Sequence, residues 1–518
     1  MSHRLGIDVG GTNTDAVILD RKDRVVAKCK RPTSEDISTG IREAVERVLD
    51  ESGVAPADIV HAMLGTTHST NAIVERKGLA RVGIVRLSAP SGVGVPPYLD
   101  WPEDILKHIG RTYRIVRGGY EYNGALISEP DRDEMRRALE ELRDEGIGAL
   151  AVSCVFSPVN AEQEHMVQEL CGETLGADFP VSLSSEIGTI GLLERENATI
   201  LNAAILDIAS TAYGSFQNVL REHGIGADLY ITQNDGTLMS VDYARTYPVF
   251  TIASGPTNSL RGAAFLSGLA DAIVVDVGGT TTDVGILKNG FPRESTTAVE
   301  IGGVRTNFRM PDLVAIGLGG GSLVRRDGET VRVGPDSVGY RITEEALVFG
   351  GNTMTATDCA VRFGRASLGD RAGVSDVDEG LARDACSVMR GMVEEVIDRM
   401  KTTADDMPVV IVGGGSILLP EELNGASSVV RPDHFDIANA IGAAISHISG
   451  SIDGVYDVAT RGRDAVIEGV KEEAVREAVR AGADEETVEI VELDEIPLAY
   501  LPSNAVRFRV KAVGSLKR

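Results

Sequence analysis

Asp8 and Asp15 bracket the run Val9-Gly10-Gly11-Thr12-Asn13-Thr14. Asp276 and Asp283 bracket a near copy, Val277-Gly278-Gly279-Thr280-Thr281-Thr282. Each run follows a short apolar stretch (Leu5-Gly6-Ile7 and Ile273-Val274-Val275) and leads into another (Ala16-Val17-Ile18-Leu19 and Val284-Gly285-Ile286-Leu287). That pattern predicts strand, tight turn, strand: a β-hairpin. Such a turn gathers bare backbone N–H groups and threonine hydroxyls at one point, an arrangement suited to phosphate oxygens. The flanking carboxylates can face a cation held by those phosphates, since Mg²⁺ usually takes one or two carboxylates together with phosphate and water. A lone Gly-Gly-Thr turn is ordinary. Two copies that agree at both aspartates and both glycines predict related lobes facing each other across a cleft.

The bulk properties frame that chemistry. A chain of 518 residues is too long for one core, and about two to four domains are expected. A net charge of −26 argues against a nucleic-acid backbone or an anionic membrane as partner. The five cysteines (Cys29, Cys154, Cys171, Cys359, Cys386) are scattered, without Cys-x-x-Cys or histidines at metal spacing, and read as reduced thiols. No apolar run has the length of a membrane span, and strand character begins within the first few residues without a leader pattern. The expected compartment is the cytoplasm.

Alternating elements must position the two turns. A strand is predicted over Asp23 to Lys30 and an apolar-striped helix over Ile37 to Glu51. Val60 to Leu64 is a buried strand ending in Gly65-Thr66-Thr67-His68-Ser69-Thr70-Asn71. Those small polar residues line a pocket or simply cap a helix; spacing alone leaves both open, and His68 by itself reads as a cap or surface residue. Ser88 to Trp101, rich in Pro and Gly, predicts a long loop, either a lid or a plain excursion. Asp131 to Glu145 is a helix with a capping-box start at Asp131 and Glu134. Strands follow at Gly148 to Phe156 and Val181 to Ser184, which gives an α/β chain with at least part of its sheet parallel. Glu194-Arg195-Glu196-Asn197 opens a helix whose charges serve as ion pairs or as substrate contacts, and Ser254-Gly255-Pro256 opens another.

Two further glycine clusters follow the second hairpin, Gly319-Gly320-Gly321-Ser322 and, at the end of the apolar strand Val409 to Val412, Gly413-Gly414-Gly415-Ser416. Glycine at a strand end lets the main chain lie against a flat base or ribose. Thr353 to Asp358 opens a helix between them, and the small residues of Ile437 to Ala444 allow close helix packing. Beyond about Asp453 a charged helix (Asp464 to Ala481) flanked by alternating strands reads as a small accessory α+β domain. The expected division is 1–250, 251–450 and 451–518.

Two Asp-bounded Gly-Gly-Thr hairpins followed by a strand and a Gly-Gly turn resemble the phosphate-1, phosphate-2 and adenosine motifs of the actin/sugar-kinase/Hsp70 superfamily. Within it the chain resembles the hydantoinase A/oxoprolinase family. The resemblance rests on Gly6 to Asp15, Gly65-Thr66-Thr67 through Ala72 with Glu75 to Gly78, Glu194-Arg195 with Thr199 and Asn202, Ser254-Gly255-Pro256, Asp276 to Asp283, Gly319 to Ser322 and Thr355 to Asp358. The chain departs from the family where Leu64 replaces a usual histidine and where Thr257-Asn258-Ser259 replaces small residues. It departs again at the Ser88–Trp101 loop, at Val338-Gly339-Tyr340-Arg341, and in being shorter than typical members. These departures fall on the substrate side.

The resemblance implies an α/β fold of two actin/Hsp70-like lobes around a nucleotide cleft, with ATP and Mg²⁺ as cofactors. It implies ATP-dependent opening of a cyclic amide such as a hydantoin or 5-oxoproline, through phosphorylation of the amide oxygen. Gly10, Gly11, Thr12, Asn13 and Thr14, with Gly278, Gly279, Thr280, Thr281 and Thr282, would hold the phosphates. Asp8, Asp276 and Asp283 would hold Mg²⁺, and Asp15 or Asp283 would orient a water. Gly413, Gly414, Gly415 and Ser416, then Gly319 and Gly320, would border the adenosine, and Thr66, Thr67, Asn71, Glu194 and Arg195 would face the substrate. A second subunit resembling hydantoinase B and a homo-oligomer are the partners it suggests. The rival readings are a carboxylase subunit acting on a ketone enolate or bicarbonate, and an ATP-driven activator of a partner enzyme. A sugar kinase is disfavoured, because no aspartate sits at Ser254-Gly255-Pro256.

Overall fold

A computed structural model describes residues 2–33, 37–295, 299–328, 330–498 and 505–517. Both expected hairpins form, in identical register. His3–Val9 pairs antiparallel with Asn13–Leu19, setting Asp8 opposite Asp15 and Val9 opposite Thr14. Ala272–Val277 pairs with Thr282–Lys288, setting Asp276 opposite Asp283 and Val277 opposite Thr282. Successive side chains of a strand point to opposite faces. In the first hairpin Leu5, Ile7 and Val9 therefore share one buried cluster with Ile41, Val45 and Tyr213. Gly6 and Asp8 take the other face, towards the helix Ala438–Ile445.

Each hairpin seeds a lobe. The first strand runs parallel to Ile59–Thr66, which runs parallel to Asp228–Thr232. In the second lobe Ala272–Val277 runs parallel to Met407–Val412, and that strand to Ala426–Val430. A four-stranded, wholly parallel sheet (Thr112–Arg117, Val82–Ala89, Ala149–Cys154, Val181–Leu183) forms a further layer in the N-terminal half. The chain is thus α/β, with two related lobes and mixed sheets, as the sequence predicts.

The helix Leu192–Glu222 ties the N-terminal half together. Its 31 residues span about 46 Å at 1.5 Å per residue. The first half packs Ala198, Leu201 and Ile205 against Ile84 and Ala151 of the parallel sheet. The second half packs Tyr213, Phe216 and Leu220 against the first lobe.

The C-terminal segment keeps its expected helix and two strands but does not form a sheet of its own. His447–Asp457 starts parallel to Thr237–Ser240, and Ala505–Gly514 and Glu489–Pro497 add outside it, completing a nine-stranded sheet. Helix Arg463–Arg480 covers this extension with Val466, Val470, Ala474 and Ala478, one apolar residue per turn. The first lobe's sheet is therefore finished by chain that returns after the second lobe.

The helices Ser254–Ser267 and Ala438–Ile445 cross between the lobes. A Cβ on Gly262 would overlap the Ala438 carbonyl, one on Gly442 the Asn258 carbonyl, and one on Gly6 would lie 2.7 Å from the Ala444 Cβ. The small residues expected to permit close packing do so here. The Ser88–Trp101 loop is an anchored excursion: Tyr98 and Trp101 are buried, the Tyr98 hydroxyl donates to the Val82 carbonyl (3.2 Å), and Trp101 Nε1 donates to Asn197 Oδ1 (2.8 Å). Asp131 caps its helix by accepting from the Asp133 and Glu134 amides, while the Glu134 carboxylate turns to Arg117 instead of closing a capping box. Among the described residues no helix is long and apolar enough to cross a membrane.

Candidate active site

The two Gly-Gly-Thr turns meet. Each is closed by one backbone bond, Gly10 N–H to the Asn13 carbonyl (3.0 Å) and Gly278 N–H to the Thr281 carbonyl (2.9 Å). Across the lobes the Thr12 hydroxyl lies 3.4 Å from that of Thr280. A Cβ on Gly279 would come within 2.8 Å of the Thr12 methyl, so the second glycine permits the approach.

Both turns are braced from behind. Thr33 donates its N–H to the Thr12 carbonyl (2.9 Å) and its hydroxyl to the Gly10 carbonyl (2.8 Å). Gly320 and Gly321 donate to the Gly278 and Gly279 carbonyls (3.0 and 2.7 Å). Gly413, at φ +86°, leaves no room for a Cβ against the Asp276 carboxylate, and Gly415 packs against the Gly278 carbonyl. The two later glycine clusters thus form the wall of the second turn.

The threonines divide their work. Thr14 and Thr282 are fully buried, with the Thr14 hydroxyl 3.5 Å from that of Thr33 and the Thr282 hydroxyl donating to the Leu318 carbonyl (2.7 Å). Thr12, Asn13, Thr280 and Thr281 stay at the accessible face.

Four aspartates converge behind the turns, and burial is the leading cause that raises each above the ordinary carboxylate range. Asp8 is pushed to about 6; Asp15 and Asp276 add repulsion, opposed by Asn258 and Asn439, whose amides donate to its two oxygens (2.9 and 3.0 Å). Asp283 reaches about 7, with repulsion from Asp276 adding to burial. Asp15 and Asp276 are also raised. Lys30 sits 2.7 Å from Asp15 and neutralises it. Sequence reasoning missed Asn439, Lys30 and Thr33, and it put Asn258, noticed as a departure, on the substrate side, whereas its amide bonds Asp8. An asparagine inside an otherwise apolar helix start was the available signal for Asn439.

These residues suit a polyphosphate and its cation. A Cβ on Gly11 or Gly414 would meet nothing within 4 Å, so both backbones face open space. Asn258 Oδ1, beside Asp8, and the Ser416 hydroxyl are buried without a hydrogen-bond partner. Among the described residues no three acidic, histidine or cysteine side chains could hold a metal unaided. A cation here would complete its shell with phosphate oxygens and water, as Mg²⁺ does.

The remaining predicted residues fall into two groups. Thr66 and Thr67 adjoin the first turn: Thr67 donates to the Val9 carbonyl (3.2 Å), Asn71 donates to the Thr67 hydroxyl (3.4 Å), and the Ser254 hydroxyl donates to the Thr66 carbonyl (3.4 Å). Glu194 and Arg195 belong to a different network. Arg195 is buried and donates to the Ser184 hydroxyl (3.0 Å) and to the Thr189 and Cys154 carbonyls (2.9 and 2.6 Å), while Glu194 pairs with Arg305 at 3.7 Å. Neither has a hydrogen bond to the turns.

The chain belongs to the hydantoinase/oxoprolinase family: residues 4–175 match its N-terminal region and residues 195–370 its hydantoinase/oxoprolinase region. It is 27% identical over 390 residues to the acetophenone carboxylase gamma subunit of Aromatoleum aromaticum, covering 70% of this chain and 53% of that one. It is 26% identical over 387 residues to the caprolactamase alpha subunit of Pseudomonas jessenii, covering 70% and 54%. The crystal structure of the ATP-dependent caprolactamase from Pseudomonas jessenii has the same fold, with a TM-score of 0.79 at 20% identity over 99% of this chain and 88% of that chain. The matches span about half the length of these curated relatives.

Proposed function

We propose that this protein is an ATP-dependent hydrolase that opens a cyclic amide by phosphorylating its carbonyl oxygen. The observation that carries the reading is the meeting of the two turns at Thr12 and Thr280 in front of four aspartates, Asp8 and Asp15 buried and Asp276 and Asp283 partly exposed. ATP, when bound with Mg²⁺, supplies a transferable phosphoryl group. An amide is a poor electrophile, and a phosphorylated amide oxygen makes its carbon open to water. The sum is amide, ATP and two waters giving the ring-opened amino acid, ADP and phosphate: one water attacks the phosphorylated carbon and expels the ring nitrogen, and the second cleaves the acyl phosphate that remains.

In this reading the protein's task is placement and charge neutralisation. The turn amides and the hydroxyls of Thr12, Thr280 and Thr281, with the Asn13 amide, would hold the phosphates. Asp276 and Asp283 would face Mg²⁺. Asp8, whose oxygens already accept from two asparagines, would act through water. Asp15 is neutralised by Lys30, whereas among the described residues no cation pairs with Asp283, which favours Asp283 for orienting the attacking water. Gly413 to Ser416 would border the adenosine.

The acetophenone carboxylase relative supports a second reading on the same cleft, a carboxylase subunit that phosphorylates an enolate or bicarbonate. Both relatives are named as subunits, which supports a partner chain of hydantoinase B type. Five buried free thiols support a reducing, cytoplasmic setting. The test is phosphate release with cyclic amides, ketones and bicarbonate. Release that rises with an amide and yields its amino acid supports the hydrolase, bicarbonate-dependent release supports the carboxylase, and no response to either class rejects both.

A further inference from the structure

One face of the first hairpin carries Asp8; the opposite face, one residue behind Gly10, opens into a cavity of about 480 Å³. Its floor is Val9, Ile41 and Leu64, all nearly inaccessible, and its wall is Ile208 and Ala212 of the long helix. Besides Asp207, the polar lining is the hydroxyls of Ser38, Thr66, Thr211 and Ser215 and the His68 imidazole. Thr66 Oγ1 lies 2.9 Å from His68 Nδ1, an arrangement that fixes the ring. Burial holds the His68 imidazole below its usual range, so it is neutral at physiological pH. Among the described lining residues there is no Lys or Arg, and the only charged side chain is Asp207 at the exposed mouth.

Position and charge together say what could bind. Thr66 and Val9 line the cavity and are cross-strand partners, and Thr67 hydrogen-bonds the Val9 carbonyl, so the cavity abuts the first turn. Placing a carboxylate in a half-apolar pocket that offers no cation and carries Asp207 at its mouth is costly, because its lost hydration goes largely uncompensated. We propose that this cavity is the substrate pocket of the reaction above, and that it takes a compact, uncharged carbonyl compound, a plain lactam or ketone, and not a carboxylate-bearing amide such as 5-oxoproline. The inference rests on that reading for the reaction, but its binding test does not.

The test is saturation-transfer NMR on the full chain, with a non-hydrolysable ATP analogue and Mg²⁺, using caprolactam, acetophenone and 5-oxoproline as probes. Phosphate release with the same compounds is followed in parallel. Ala212→Trp fills the cavity, its melting temperature reporting whether it folds, and Thr211→Arg adds a cation at the mouth. The wild type is expected to bind a neutral probe and not 5-oxoproline. Ala212→Trp should weaken the neutral probe by about tenfold or more, the scale on which hydrophobic pockets discriminate by size. Thr211→Arg should admit 5-oxoproline. Equal or better binding of 5-oxoproline by the wild type, no neutral probe bound, or a neutral probe indifferent to Ala212→Trp each overturns the pocket. A neutral probe that binds and is displaced by Ala212→Trp, while no amide or ketone raises phosphate release, leaves the pocket standing and removes the reaction. Amide-driven release with KM unchanged in Ala212→Trp does the reverse.

Discussion

The Thr12 and Thr280 hydroxyls lie 3.4 Å apart although 268 positions separate them in the chain. The two lobes therefore touch at the tips of their matching turns, and the contact can be trapped. A disulfide needs Cα atoms within about 7 Å of each other, and the adjoining γ atoms bring this pair near that range. The native thiols are all buried and do not compete. Thr12→Cys/Thr280→Cys is expected to cross-link under mild oxidation, seen as a shift on non-reducing gels, and to lose ATP turnover reversibly. Failure to cross-link would mean that the turns are apart in solution.

The crowded carboxylates give the cleft a pH signature. An unperturbed aspartate titrates at 3.8, whereas Asp8 and Asp283 titrate at about 6 and about 7 in the folded protein. Between those limits the native state binds more protons than the unfolded one, so ligand-free stability falls as pH rises through this window. Asp283→Asn removes one ionisation and should raise the melting temperature by several degrees at about pH 8, with little change at about pH 4 and with turnover lost. Mg²⁺ with ATP requires the ionised carboxylates, so its stabilising effect should grow from about pH 5 to about pH 8. A melting temperature of Asp283→Asn that tracks the wild type at every pH would contradict the strained cluster.

Much of this cleft is legible in the sequence because its signals are local. Asp8 to Asp15 and Asp276 to Asp283 carry strand, turn and strand in eight consecutive residues each, and backbone geometry follows from them directly. What contacts them is not local. Asn439 reaches Asp8 across 431 positions, from a helix whose sequence advertises only close packing, and Asn258 reaches it across 250, from a helix read only by its Ser254-Gly255-Pro256 entrance. The continuation of the first sheet by His447–Asp457 is hidden for the same reason, since strand alternation does not say which sheet a strand joins. Leu64, noticed as a departure on the substrate side, proves to floor the cavity behind the first turn.

Two glycines separate folding from binding. A Cβ on Gly11 meets no protein atom within 4 Å, so Gly11→Ala should fold with an unchanged melting temperature. Its methyl would stand where a phosphate approaches the turn, and nucleotide affinity should fall by about tenfold or more. At Gly413 the backbone is at φ +86° and a Cβ would collide with Asp276 and the Val277 carbonyl. Gly413→Ala should lower the melting temperature as well as turnover. Fluorescent-nucleotide titration alongside thermal melts distinguishes the two, and unchanged affinity in Gly11→Ala would move the phosphates away from the first turn.

Arg195 and Glu194 stand side by side in sequence and should respond differently to substitution. The Arg195 guanidinium is buried, uses all three nitrogens on Ser184, Thr189 and Cys154, and so pins the start of the long helix to the parallel sheet. Removing it leaves two carbonyls and a hydroxyl without their donor; losing one member of a buried charged network costs about 3–5 kcal/mol. Lysine has one nitrogen and cannot reach three acceptors, so Arg195→Lys should be nearly as damaging as Arg195→Met. Glu194 is more accessible and its Arg305 pair is 3.7 Å long, so Glu194→Gln should shift stability by no more than about 0.5 kcal/mol. Urea unfolding reads both, and KM and kcat on the surviving protein read the alternative. If Arg195→Lys keeps its unfolding midpoint and loses only KM for the small substrate, the guanidinium faces the substrate and not the helix it is hydrogen-bonded to hold.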